Sequence, residues 1–175
     1  MANEKNETIH SSFWSNIFSY STEKTDLQIS LHSIPLFASL SKKDLTLILN
    51  IIHNRSYLSG EYIFYQGDPG IGLYIVREGE VRILREDEAG NEIYLATFLK
   101  GDFFGELALV DGEKRSASAI AKTDVRAAVI FKPDLDEFIE KYPKKGIKIL
   151  NGISHIIANR LRSLNEDYIS LQYNK

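Results

Sequence analysis

Between about Ser56 and Phe131 the chain is cut into short β-rich runs, and glycines at 79, 90, 101 and 112 fall at a constant interval of eleven residues. Runs at 62–65, 72–77, 81–85, 92–98, 116–121 and 125–131 carry the β-branched and aromatic residues that favour strands. Between them lie turn signals such as Gly67-Asp68-Pro69-Gly70, Glu78-Gly79-Glu80 and Glu88-Ala89-Gly90-Asn91. Strands punctuated at that interval predict an antiparallel sandwich or barrel. The interval is a hairpin length, because the residues around these glycines form no sequence repeat.

Helical patterns flank this region. Ile34-Pro35-Leu36-Phe37 leads to Ser41, an N-cap with Asp44 three residues on, and apolar positions then continue to about His53. Pro133 opens a second helix that stops near Tyr142-Pro143. A long helix is expected from about 146 to 171. Its positions 147, 150, 157, 161, 164, 168 and 171 follow a 3-4 spacing, with Ile147, Leu161 and Tyr168 at a, and Leu150, Ile157, Leu164 and Leu171 at d. Such a narrow seam predicts a parallel homodimer, the alternative being that it packs on the barrel. Pro143 and Gly146 read as a hinge, and Lys141, Lys144, Lys145, Lys148, Arg160 and Arg162 as a solvated basic face. Residues 1–30 are polar except for Phe13, Trp14, Ile17, Phe18 and Tyr20, which predict a short capping helix or a docking helix for a partner. The organisation expected is a polar segment 1–30, a β domain with flanking helices at 31–142, and a dimerisation or lid helix at 143–175.

Composition removes several function classes. The 175 residues hold 21 Lys plus Arg against 24 Asp plus Glu, a net charge of −3 that argues against a life on nucleic acid. There is no cysteine, hence no disulfide and no cysteine-ligated metal. The N-terminus has no secretory h-region and no run is long enough to span a membrane, so a cytoplasmic location is expected. A metal enzyme on a barrel of this kind needs clustered histidines. The four present, His10, His32, His53 and His155, all lie outside 56–131. Neither a Walker loop nor a nucleophile elbow occurs, so no catalytic residue, metal or cofactor is assigned.

One segment carries chemistry: Gly101-Asp102-Phe103-Phe104-Gly105-Glu106-Leu107-Ala108-Leu109-Val110, followed by Arg115-Ser116-Ala117. Residues 107–110 are long enough for one helical turn, whose first N–H groups have no internal partner and can meet an anion. Gly105 lets an oxyanion approach the backbone. Arg115 can return as a fixed bidentate cation, and Glu106 can accept from a sugar hydroxyl. Together these describe a site for a phosphorylated sugar.

Phe104-Gly105-Glu106-Leu107-Ala108-Leu109 with Arg115-Ser116-Ala117 resembles the phosphate-binding cassette of cyclic-nucleotide-binding domains, as found in catabolite activator proteins, regulatory subunits of cAMP-dependent protein kinase and cyclic-nucleotide-gated channels. The resemblance runs over roughly 31–165, and includes Gly60-Glu61, Gln66-Gly67-Asp68 and 74–81. It implies a mainly β fold with flanking helices: an antiparallel β-roll or jelly roll (a double-stranded β-helix) with N-terminal helices and a long C-terminal helix. It further implies that Arg115 pairs with the cyclic phosphate and that Glu106 holds the ribose 2′-hydroxyl. Gly105, the N–H groups of Leu107 and Ala108, and Ser116 complete the shell. Asn165, on the closing helix, is the candidate for the base edge, and Phe98, Phe103 or Val76 for the pocket wall. Ser116 and Asn165 tilt the expected ligand toward cAMP, with cGMP possible. The function implied is a non-enzymatic sensor that signals to an unknown protein partner. The alternative is a structural dimerisation module with a dead pocket. The catabolite activator proteins continue into a DNA-reading helix-turn-helix, which has no room before Lys175, so no nucleic-acid partner is expected.

Overall fold

The computed structural model describes residues 27–29 and 31–173. The aromatic segment around Trp14 and the side chain of Leu171 lie outside the described residues.

Residues 27–29 and 31–33 are helical. Ser41 then caps helix α1 (Lys42–Ile48) in a reciprocal box. Its hydroxyl accepts from the Asp44 N–H at 3.2 Å, and the Asp44 carboxylate accepts from the Ser41 N–H at 3.3 Å. The helix ends earlier than its apolar residues suggest. After a 3-10 turn at Leu49–Ile51 the chain enters strand β1 (Ile52–Tyr57), where Ile52 faces Ile130 and His53 faces Val129. The inter-strand ladder, with half-buried β-branched Ile52, overrides helical continuation here.

The remaining strands are β2 (Tyr62–Phe64), β3 (Gly72–Glu78), β4 (Val81–Glu86), β5 (Glu92–Phe98), β6 (Phe103–Phe104), β7 (Ser118–Ala121) and β8 (Val125–Phe131). They form two four-stranded sheets of order β1-β8-β3-β6 and β2-β7-β4-β5, with every pairing antiparallel. This is the double-sheet jelly roll. Glycines 79, 90, 101 and 112 all adopt positive φ at the turns.

Strands β3 and β8 are buried on both faces. Tyr74, Val76, Ala127 and Val129 point into the roll with Val81, Phe104, Ala119 and Ala121. Leu73, Ile75, Ala128 and Ile130 point outward and are covered by helices. That cover comprises Leu31, Ile34, Phe37, α1, α2 (Lys132–Lys141) and α3 (Pro143–Tyr173).

On α3 the buried stripe is Ile149, Ile153 and Ile156. The 3-4 seam is a different face. Ile147, Leu150, Leu161, Leu164 and Tyr168 are 43–64% exposed, and of the described seam side chains Ile157 alone packs against the core. The break between α2 and α3 falls at Tyr142, just before Pro143, rather than at Gly146. Gly146 sits inside α3, and a Cβ there would meet Ile139 Cγ2 at 2.7 Å, so this glycine permits close approach of α2 and α3. No helix among the described residues is long and apolar enough to cross a membrane.

Candidate functional site

The cassette begins on β6, where Phe104 pairs with Tyr74 of β3. Gly105 follows at φ +78°, and a Cβ there would stand 2.7 Å from Arg115 Nη1 and 2.9 Å from the Gly72 carbonyl oxygen. The chain then makes the expected single turn, a 3-10 helix at Leu107–Leu109. Leu109 N–H donates to the Glu106 carbonyl at 3.0 Å, and Val110 N–H to that of Leu107 at 2.9 Å. The earlier N–H groups cannot be satisfied inside so short a turn.

Arg115 is delivered to this turn by the loop that reads only as a turn in sequence. Arg115 N–H donates to the Asp68 carbonyl at 2.8 Å, Gly67 N–H to the Arg115 carbonyl at 2.9 Å, and Gly70 N–H to the Glu113 carbonyl at 3.1 Å. The Asp68 carboxylate in turn accepts from the Tyr65 N–H at 2.8 Å. The Arg115 side chain is only 7% exposed. It donates to the Gly72 carbonyl at 2.8 Å and to the Gly105 carbonyl at 3.3 Å, while its Nε is buried without a partner. Burial pulls the guanidinium below its ordinary pKa, against the opposing influence of Tyr74, Asp68 and Glu106. Burial likewise raises the Tyr74 phenol and pushes Tyr57 up to about 12. Arginine stays charged under such shifts.

Glu106 is 1% exposed. One carboxylate oxygen accepts from Arg160 of α3, and the other, Oε2, is buried with no partner. An acid and a base are thus both withdrawn from water, and each keeps an unpartnered polar atom. Burying such groups without full pairing is costly, so water or a bound molecule in the cavity is needed to supply the missing bonds.

These residues line a cavity of about 340 Å³, within the range of small-molecule sites. Gly105, Glu106, Leu107, Ala108, Arg115 and Ser116 all border it. Phe64, Ile83, Ala96, Phe98 and Phe104 form an apolar wall, while Asp111, Glu113 and Lys114 also take part. Of the aromatic candidates, Phe98 lines this cavity and Phe103 lines an adjoining one of about 300 Å³ that shares Arg160. Val76 is instead in the roll core.

Asn165 is not brought to the cavity. It is exposed, five residues beyond Arg160 on α3. Five residues mean about 7.5 Å along the axis and a rotation of about 140°, so it faces away from Glu106. Arg160, which the sequence places among solvated basic residues, is the α3 residue at the site. A single arginine on a long basic helix carries no local signal of a partner 54 residues away. Among the described residues no group of three or more His, Cys, Asp or Glu could hold a metal ion.

The fold and this cavity define a small-molecule-binding jelly roll with a phosphate cassette. A profile of the cyclic nucleotide-binding domain matches residues 54–142, and the chain belongs to that family. It is 36% identical over 140 residues to the cyclic AMP receptor protein of Thermus thermophilus, covering 79% of this chain and 63% of that one. It is 38% identical over 98 residues to a cAMP-dependent protein kinase regulatory subunit of Emericella nidulans, covering 56% of this chain and 23% of that one. The crystal structure of the Thermus thermophilus catabolite activator protein superposes with a TM-score of 0.70 over 79% of this chain and 63% of that one. A cyclic nucleotide-binding domain from Methylobacillus flagellatus shares the fold, with a TM-score of 0.75 at 22% identity over 85% of this chain and 84% of that one. The chain therefore spans less than two thirds of the length of the receptor protein and about a quarter of the kinase subunit.

Proposed function

We propose that this chain is a non-enzymatic cyclic-nucleotide sensor, with cAMP as its ligand, and that it acts in the cytoplasm as a homodimer on a separate protein partner. The observation that carries the reading is the pair of buried, incompletely bonded side chains on one cavity: Arg115 with its free Nε, and Glu106 with its free Oε2. The cyclic phosphate takes the Arg115 edge, the Gly105–Ala108 backbone and Ser116. The ribose 2′-hydroxyl donates to Glu106 Oε2, and the base lies against Phe98, Ala96 and Ile83. A net charge of −3 favours a protein partner over nucleic acid. With Asn165 off the cavity and Ser116 on the phosphate that both nucleotides share, the choice of cAMP is supported by the likeness to the cyclic AMP receptor protein and the cAMP-dependent kinase regulatory subunit.

Calorimetric titration with cAMP and cGMP tests this. The wild-type chain is expected to bind cAMP more tightly. Arg115→Ala should lose about 1.5–3 kcal/mol of binding free energy, the worth of a charged hydrogen bond. Unchanged affinity in that variant would remove Arg115 from the site. Silence of the wild type toward both nucleotides would leave the roll as a dimerisation scaffold.

A further inference from the structure

Arg115 is held in an unusual way for a buried cation. Its two hydrogen bonds go to neutral carbonyls. The guanidinium instead sits over the ring of Phe64, with Cζ 4.1 Å from the ring centroid. Tyr74 offers a second, more distant ring at 5.6 Å.

The Phe64 ring is itself fixed. It tilts against Tyr74 at 5.5 Å and Phe104 at 5.9 Å, and those two stack on each other at 5.3 Å. Phe64 also sits on β2, with its backbone paired to Ala119 of β7. The platform thus belongs to the rigid roll, whereas the carbonyl of Gly105 belongs to the cassette. A guanidinium has five N–H donors in one plane. Two bond the carbonyls, and the ring takes one side. That leaves three N–H groups, the unpartnered Nε among them, with the Tyr74 hydroxyl as a further neighbour of the guanidinium.

We propose that Phe64 is a positioning residue for Arg115: its ring face fixes the plane of the guanidinium so that the three remaining donors are set for a phosphate before ligand arrives. The inference rests on the cyclic-nucleotide reading of the cavity. It adds a requirement for an aromatic face at 64, where apolar bulk alone would satisfy a simple pocket wall. A leucine keeps that bulk and removes the ring quadrupole that attracts the cation.

The test compares wild type, Phe64→Leu and Phe64→Tyr by calorimetry with cAMP, and by the NMR resonance of the Arg115 Nε–H in the ligand-free protein. A ring beneath the guanidinium shifts that proton upfield. Phe64→Leu is expected to abolish the upfield shift and to weaken cAMP binding about tenfold. Phe64→Tyr is expected to keep both within about twofold, since the ring face is retained. Affinity of Phe64→Leu equal to wild type overturns the proposal while leaving the nucleotide reading intact. Equal loss in both variants also overturns it, because shape rather than the ring face would then matter. A wild-type chain that shows the upfield shift but binds neither cAMP nor cGMP overturns the nucleotide reading, and the phosphate role of Phe64 with it.

Discussion

Glu106 and Arg160 form a lopsided pair, with side chains 1% and 43% exposed. Removing the arginine strands a carboxylate that water barely reaches. Arg160→Ala is expected to lower stability by about 2–3 kcal/mol in urea unfolding, toward the lower end for broken buried pairs because Arg160 is partly solvated. The same change in a Glu106→Gln background should cost far less, because no buried charge is left behind. Equal costs in both backgrounds would mean that Arg160 acts through packing. The cassette residues of this site were legible because Gly105, Glu106, Arg115 and Ser116 lie within twelve positions and their chemistry converges. Arg160 and Phe64 were not. Each reaches the cavity from a distant element, and each has an ordinary alternative role, on a solvated helix face or in a strand. Asn165 shows the converse: its chemistry suits a base edge, but helical phase sets it on the exposed side of α3, off the cavity in the ligand-free chain.

Among the elements, β3, β4, β5 and β8 stand where strand periodicity puts them, and the double burial of β3 and β8 explains why they read as nearly unbroken apolar runs. Strand β1 was hidden because Ile51 and Ile52 continue the apolar pattern of α1, and β6 because two residues carry no period. The cap of α1 was legible in full, and it makes a pH-dependent prediction. The hydrogen bond from Ser41 holds the Asp44 carboxyl below its ordinary 3.8, with Lys145 adding to the effect. A carboxyl depressed in the folded state stabilises the fold fully above its unfolded value, and the contribution is lost as pH falls through the folded one. Ser41→Ala should therefore cost about 1 kcal/mol at pH 7. The gap from wild type should narrow once the pH is taken below 3.8. A gap that stays constant in acid would assign the effect to the Ser41 hydroxyl and Asp44 N–H alone.

At the scale of the molecule, α3 is two helices in one. Its 31 residues span about 46 Å, and only the first half packs into the core, against α2 and the Leu36 segment. Ile149, Ile153 and Ile156 make that contact, whereas every described side chain from 159 onward is exposed. The outer half is nonetheless not polar all round. Leu161, Leu164, Tyr168 and Ile169 are each more than half exposed, and three of them continue the a/d seam. An apolar stripe on a projecting helix costs free energy until something covers it, and a second copy of the same seam is self-complementary about a two-fold axis. The sequence showed the seam but could not separate it from the stripe that packs into the core, because both run at helical spacing on one element. The seam residues best suited to a test are those with no packing role. Ile157 touches the core, so Leu161 and Leu164 are preferable. Sedimentation should find a dimer for the wild type at micromolar concentration. The Leu161→Asp, Leu164→Asp double variant should sediment as a monomer, since two acidic groups per chain would be forced into an apolar interface. Its roll should unfold at an unchanged denaturant midpoint once the wild type is diluted to monomer, because neither leucine contacts the core. A monomeric wild type, with and without cAMP, would mean that this stripe does not pair two copies of the chain.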